Sequence, residues 1–231
     1  MKTILLKLSG PLQSWGTDSN YETRHTDLYP SKSAIIGMIS ACLGYRREDC
    51  QCLQKLNQLQ FAVRIDQQGN ILRDYQTAHA YQPKLRTYVT NRYYLEDAVF
   101  IVAVGHADSD FIDEVVNGLK NPYFQPFMGR KSDPIPVDFV LGVTESDVLT
   151  SIEEVPWQAA SWYKRQANKS LIRLPIYFDV NLKQTTTSSL RKDLAYSFSF
   201  RNRKYQFREE GKEYVDIPGI EEHDAFGALG G

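Results

Sequence analysis

Cysteine is scarce in this chain: Cys42, Cys50 and Cys52 are the only three in 231 residues. An odd number without a spaced framework argues against a disulfide scaffold. A zinc site wants ligand pairs about two to four residues apart and a second pair further on. Cys50-Gln51-Cys52 with four scattered histidines does not supply that. No metal and no cofactor are expected. Long apolar runs are missing too, none approaching the roughly 18 residues of a membrane helix. The N-terminus, MKTILLKLSG, looks like a signal peptide only briefly, because Lys7 breaks its apolar stretch and no small-residue cleavage site follows. A cytoplasmic protein without membrane contact is expected.

An overall excess of charge is also absent, at −1, but the charges are unevenly placed. Residues 161–208 hold 11 Lys or Arg against Asp179 and Asp193, a balance of +9. Residues 209–231 hold seven acids against Lys212, a balance of −6. A basic block inside a neutral chain is the footprint of a polyanion partner, although most charge runs are simply solvated faces. Trp162, Tyr163, Tyr177, Phe178, Tyr196 and Tyr205 are interleaved with this charge. That mixture favours nucleic acid.

The patterning predicts strands at Thr3–Leu8, Gln60–Asp66, Ile71–Thr77, Ala98–Val104 and Val137–Val143. Helices are expected over Ser31–Leu43, capped by Ser31, and over Asp110–Lys120, capped by Asp108 or Ser109. Gln-Gln-Gly-Asn at 67–70 reads as a hairpin turn joining the second and third strands. The order strand, helix, strand, strand, helix, strand is that of an α+β, ferredoxin-like (RRM-like) domain over 1–144, with both helices on one face and the other face open. Residues 79–92, HAYQPKLRTYVTNR, sit between two strands and read as an extended excursion from the sheet. Beyond residue 144 a short helical stretch at Ser146–Glu154 leads to a smaller β-rich C-terminal domain, 145–231, with strands at Leu171–Val180, Leu194–Phe200 and Lys204–Arg208. The first strand leaves through PLQSWG and reaches no helix until about Ser31, far beyond the roughly two to six residues a plain connection needs. Such a loop carrying a Trp points to function.

Four stretches together resemble one family: LSGPLQSWG at 8–16, YPSKSAIIGMISACLGYRRED at 29–49, LRDYQT at 72–77 with NRYYLEDAVFIVAV at 91–104, and PYFQPFMGRKSDP at 122–134. The chain is similar in these to the CasD family, the fifth CRISPR-associated protein, in its type I-E form. The resemblance implies a non-catalytic Cascade subunit that caps the 5′ handle of the guide RNA. It implies a projecting thumb β-hairpin, whose place the excursion at 79–92 takes, and as partners the backbone subunits through that thumb, the large subunit, and target DNA within the complex.

Residue by residue, YPSKS opens a helix whose free N–H groups favour an anion, so Ser31, Lys32 and Ser33 are expected to seat a phosphate. Arg130 and Lys131 beside Gly129 form a second candidate contact, with a plain solvated loop as the alternative. In the thumb, Lys84, Arg86 and Arg92 are expected to follow the RNA backbone while Tyr81, Tyr88 or Tyr93 stacks on a base or pairs across the hairpin. Arg24 and His25 in the first loop also face the handle in this reading. Gln13 is a candidate polar contact, and Trp15 is read as an anchor for its loop, with base stacking as the alternative.

The type I-C form of the family is a metal-independent endoribonuclease using a Tyr and an adjacent Lys-His pair. None of His25, His79, His106 and His223 follows a Lys here, so cleavage is the weaker reading. A stand-alone RNA-binding module is the third, and the long thumb argues against it.

Overall fold

In the computed structural model, which describes residues 1–17, 22–78 and 87–220, the run KTILLKLS is strand β1 (Lys2–Ser9). Ile4, Leu6 and Leu8 point into the main core and Leu5 into a second core on the opposite face, as the two-residue period of a strand dictates. The following loop carries the short strands β2 (Leu12–Gln13) and β3 (Thr23–Arg24) before α1 (Lys32–Cys42). Ser31 caps α1 as expected, its hydroxyl accepting from the Ala34 N–H at 3.3 Å. Helix α2 (Cys50–Asn57) was not expected; at two turns, with only Leu53 and Leu56 buried, its period is too short to stand out in the sequence.

Next come β4 (Gln60–Gln67), β5 (Asn70–Ala78), β6 (Tyr88–Glu96) and β7 (Val99–His106). Helix α3 (Ser109–Lys120) follows, capped by the Asp108 carboxylate, which accepts from the N–H groups of Asp110 and Phe111. The chain continues through β8 (Val140–Thr144), α4 (Val148–Glu154), α5 (Ser161–Ala167), β9 (Lys169–Asp179), β10 (Ser188–Ser197) and β11 (Lys204–Ile220). The architecture is mixed α+β and mostly sheet. No helix among the described residues is long and apolar enough to cross a membrane.

Seven strands form the main sheet in the order β10-β11-β9-β4-β7-β1-β8. Every pairing in it is antiparallel. Helices α1, α2 and α3 pack their apolar residues on one face, around Ile4, Leu6, Val63, Phe100 and Val102. The other face is not open. Val148, Ile152 and Val155 of the α4 segment cover it, packing on Leu5, Ala62, Ile101, Ala103 and Ile176. Burying Leu5, Ile101 and Ile176 against the α4 segment stabilises the closed face, because each buried large aliphatic side chain contributes roughly 1.5–3 kcal/mol.

The turn at 67–70 exists, but the two strands it joins do not pair. β4 pairs with β7 and β9, while β5 runs from Asn70↔Glu96 to Ala78↔Tyr88 along β6. Strand β5 exposes Ile71 and Tyr75 and has no apolar face to bury in the main sheet, so alternation alone did not reveal its partner. Gly69 permits the crossing: a Cβ there would stand 2.7 Å from the Glu96 carbonyl oxygen. The second sheet is completed by β2, antiparallel to β6 at Gln13↔Leu95, and by β3, parallel to β6 with Arg24↔Arg92.

Two C-terminal strands also differ from expectation. Tyr196-Ser197-Phe198-Ser199-Phe200 alternates, but β10 ends at Ser197, Phe198 packing against the main core instead. Strand β11 extends through the first acids of the C-terminal stretch.

Candidate nucleic-acid interface

The loop PLQSWG is a buried clamp. Gln13 is fully buried; its amide donates to the Ala98 carbonyl at 2.7 Å, and its oxygen accepts from the Trp15 indole N–H at 3.0 Å. Trp15 is 2% exposed and its backbone N–H donates to the Thr26 hydroxyl. Both polar ends of the indole-amide pair are therefore satisfied away from water, which is what keeps such groups tolerable in a core. The backbone N–H of Ser14 donates to the Met128 carbonyl at 3.1 Å, joining this loop to GRKSDP. At Gly129, with φ of +89°, a Cβ would lie 1.6 Å from the Ser14 carbonyl oxygen, so only glycine lets the two loops meet.

Above the clamp four of the candidate residues come together, with Lys131 next in sequence to one of them. Arg24 and Arg92 are register partners on β3 and β6. The His25 ring stacks on Tyr93 at 5.4 Å. Arg130 ties the loops together, its guanidinium donating to the carbonyls of Arg24 (3.3 Å) and Tyr93 (3.1 Å) and lying 4.1 Å over the Tyr94 ring. Arg24, His25 and Lys131 are exposed, and Arg92 and Arg130 half-buried. Among the described residues, Arg92 Nε and Arg130 Nη1 are buried and have no hydrogen-bond partner. The exposed cations Arg24 and Lys131 are what a phosphate backbone meets well. Asp133 closes the GRKSDP turn from below, and burial raises its carboxyl above the usual range. Lys84 and Arg86, with Tyr81, lie outside the described residues, as do His79 and His223.

The start of α1 is filled from within. Asp193 accepts from the Lys32 N–H at 2.9 Å, occupying the place expected for a phosphate, and the Lys32 ammonium pairs with Asp179 at 2.7 Å. Ser31, Lys32 and Ser33 are all buried. The correction has a plain cause: both acids belong to strands more than a hundred residues downstream, which local reading of YPSKS cannot see.

Those acids belong to an ionic network that sequence reasoning missed. Arg208 donates to Asp193 (2.7 and 3.0 Å), Asp179 (3.2 Å) and Glu210 (2.6 Å). Burial works against its charge, but Asp193, Asp179 and Glu210 outweigh it and raise its pKa. Arg191 reaches Asp27 at 2.8 Å and the Tyr29 carbonyl at 3.2 Å, and its guanidinium lies 4.2 Å over the Tyr29 ring. Tyr29 donates to Glu210 at 2.7 Å, and burial above all raises its pKa. The only signal in the sequence was a set of charges at strand positions whose neighbours face the core.

Comparison with known proteins gives a consistent result. A family model described as CRISPR-associated protein (Cas_Cas5) matches residues 3–209. The CRISPR system Cascade subunit CasD of Escherichia coli (strain K12) is 35% identical over 161 residues, 62% of this chain and 71% of that relative. A chain of a solved CRISPR RNA-guided surveillance complex is 30% identical with a TM-score of 0.77, covering 98% of this chain and 97% of that one. A second solved chain, from a crystal structure of a Cas protein, is 28% identical with a TM-score of 0.63 and covers 95% of this chain and 98% of its own.

Proposed function

This chain belongs to the CRISPR-associated Cas5 family, and from that premise we propose that it is a non-catalytic subunit of a type I-E Cascade surveillance complex, binding and capping the 5′ handle of the guide RNA. The observation that carries the reading is the meeting of Arg24, His25, Arg92 and Arg130 beside exposed Lys131, on the strand β6 that pairs with β5. The strand order β4-β7-β1-β8, with α1 and α3 on one face, supports a ferredoxin-like, RRM-like core within 1–144. In this reading the β5–β6 pair is the thumb that engages the backbone subunits, and the smaller β-rich part, 145–231, faces the large subunit. Because α4 covers the sheet face, RNA is gripped by the loops and by β6 at the sheet's margin. Gln13 and Trp15 act beneath that surface, holding the loops that contact RNA. Similarity to a chain of an RNA-guided complex supports RNA and other subunits as partners.

Co-expression with a CRISPR array and the other subunits tests this. The expected result is a co-purifying ribonucleoprotein in which Arg24→Gln/Arg92→Gln/Lys131→Gln leaves the 5′ end of the guide open to nuclease. An RNA-free monomer contradicts the reading. Cleavage of repeat RNA without metal, abolished by His79→Ala, would put the endoribonuclease in its place.

A further inference from the structure

Strands β4 and β9 pair only through Ala62–Arg64 with Ile176–Phe178. Beyond that point β4 stays with β7 while β9 continues along β11 down to Lys169. The parted strands leave a groove of about 680 Å³, within the roughly 300–1,000 Å³ of sites that hold small organic ligands. Buried Trp157, Ile172 and Leu174 form its apolar side. Tyr177 lines it, stacked on Tyr29 at 4.0 Å and 15°, and Tyr163 enters from α5.

The polar lining is cationic. Lys169 and Arg173 share the outward face of β9, and Lys212, the register partner of Tyr177, stands 5.3 Å over that ring. Asp66 is the one carboxylate lining the groove among the described residues, and Arg64 takes both of its oxygens at 2.7 and 3.0 Å. Arg173 meets Asp216 only at 4.0 Å in the open, a contact that a phosphate can displace. Gln68 and Gln166 add side-chain amides able to donate and accept toward a base edge.

We propose that this groove is a second single-strand nucleic-acid contact, stacking an unpaired base on Tyr163 beside the edge of Tyr177, whose faces Tyr29 and Lys212 cover, with its phosphates on Lys169, Arg173 and Lys212. Aromatic walls with interleaved cations and a neutralised acid favour a base and its phosphate over a peptide strand added to the free edge of β9. The inference rests on the reading of the chain as an RNA-contacting subunit and extends it along one path. Tyr29 is four residues past His25, so their Cα atoms are at most about 14 Å apart. A strand crossing the Arg24–Arg92 surface therefore reaches the groove within a few nucleotides.

The test uses the full-length protein with oligouridylate containing 4-thiouridine and oligothymidylate containing 4-thiothymidine, each about 12 nucleotides long. Photocrosslinks are expected at Tyr163 or Tyr177. Lys169→Gln/Arg173→Gln/Lys212→Gln should lower affinity at least about 10-fold and reduce the slope of log binding constant against log salt by about 2, at roughly 0.7 per single-strand phosphate contact. Lys169 and Arg173 are exposed and Lys212 is half-buried, so the thermal midpoint should fall by no more than a few degrees. Tyr163→Ala should lower affinity about 5- to 150-fold, the range for one lost base stack. Tighter binding of RNA assigns the occupant to the guide, and of DNA to a displaced target strand. Crosslinks confined to His25 and Tyr93, with wild-type binding by the groove variants, overturn the groove while sparing the Arg24–Arg92 surface. Wild-type protein that binds neither strand overturns both. A triple variant that binds nucleic acid normally but drops a protein subunit from the co-expressed complex makes the groove a peptide site and ends the proposal.

Discussion

Arg208 and Arg24 are both strand arginines in a chain of near-zero net charge, and the fold treats them oppositely. Arg208 sits in the sheet with Asp179, Asp193 and Glu210 around its guanidinium. Arg24 stands exposed beside Arg92, with only its backbone carbonyl engaged by Arg130. The first cation holds strands together; the second faces outward with its charge uncommitted. A count of charges along the chain cannot distinguish them. The basic block at 161–208 and the acids that follow it look like opposed surfaces in the sequence. Strand pairing instead brings Arg191 and Arg208 onto Glu210, so part of the block is neutralised inside. The proposed polyanion contact therefore draws in part on residues outside the block, on the first loop, β6 and GRKSDP.

The contrast can be broken most severely at Arg208. Arg208→Met takes from buried Asp193 and Glu210 the nearer of their two guanidinium groups, leaving Arg191 at 3.6 and 3.3 Å, and should cost about 3–5 kcal/mol in chemical unfolding. Arg24→Gln should stay within about 0.5 kcal/mol of wild type. Equal losses in the two variants would erase the distinction. Gly129→Ala comes next: it forces a Cβ onto the Ser14 carbonyl and should cost roughly 2–3 kcal/mol, weakening RNA binding by separating the loops under Arg130. Trp15→Phe removes the buried bond to Gln13 and should cost about 1–2 kcal/mol, with RNA affinity unchanged if the indole only anchors its loop.

Two carboxylates sharpen the comparison at the smallest scale. Asp147 caps α4, and its bonds from the Thr150 hydroxyl and backbone N–H groups hold its pKa low. A lowered folded pKa stabilises above the unfolded value and loses that contribution as pH falls through the folded one. Asp147→Ala should therefore cost about 1 kcal/mol near neutrality and nothing at strongly acid pH. Asp133 has the opposite sign. Burial raises its pKa, so its charge destabilises at neutral pH, and the penalty fades as pH falls toward the unfolded value. Asp133→Asn should match or exceed wild type near neutrality and lose that advantage in acid, as unfolding midpoints across pH will report.

Local signals were legible and distant ones were not. Ser31 and Asp108 were readable as caps because the groups they satisfy lie within three residues. The core strands were readable from their apolar runs. The partner of β5 was not, because an alternating strand after a turn fits a hairpin whether or not its neighbour is taken. At the candidate site, Arg24, His25, Arg92, Arg130 and Lys131 could be named from the sequence, but not the clamp of Gln13 on Ala98 that supports them. Lys32 was misjudged for the same reason: its counterion, Asp179, lies 147 residues away.

The central claim is that the outward cations meet the RNA backbone while the inward ones hold the fold. Its most direct test is the salt dependence of guide-RNA binding by wild type and by Arg24→Gln/Arg92→Gln/Lys131→Gln. The account predicts a slope of log binding constant against log salt that is shallower by about 2, at roughly 0.7 per lost phosphate contact, with an unchanged thermal midpoint. An unchanged slope would contradict it.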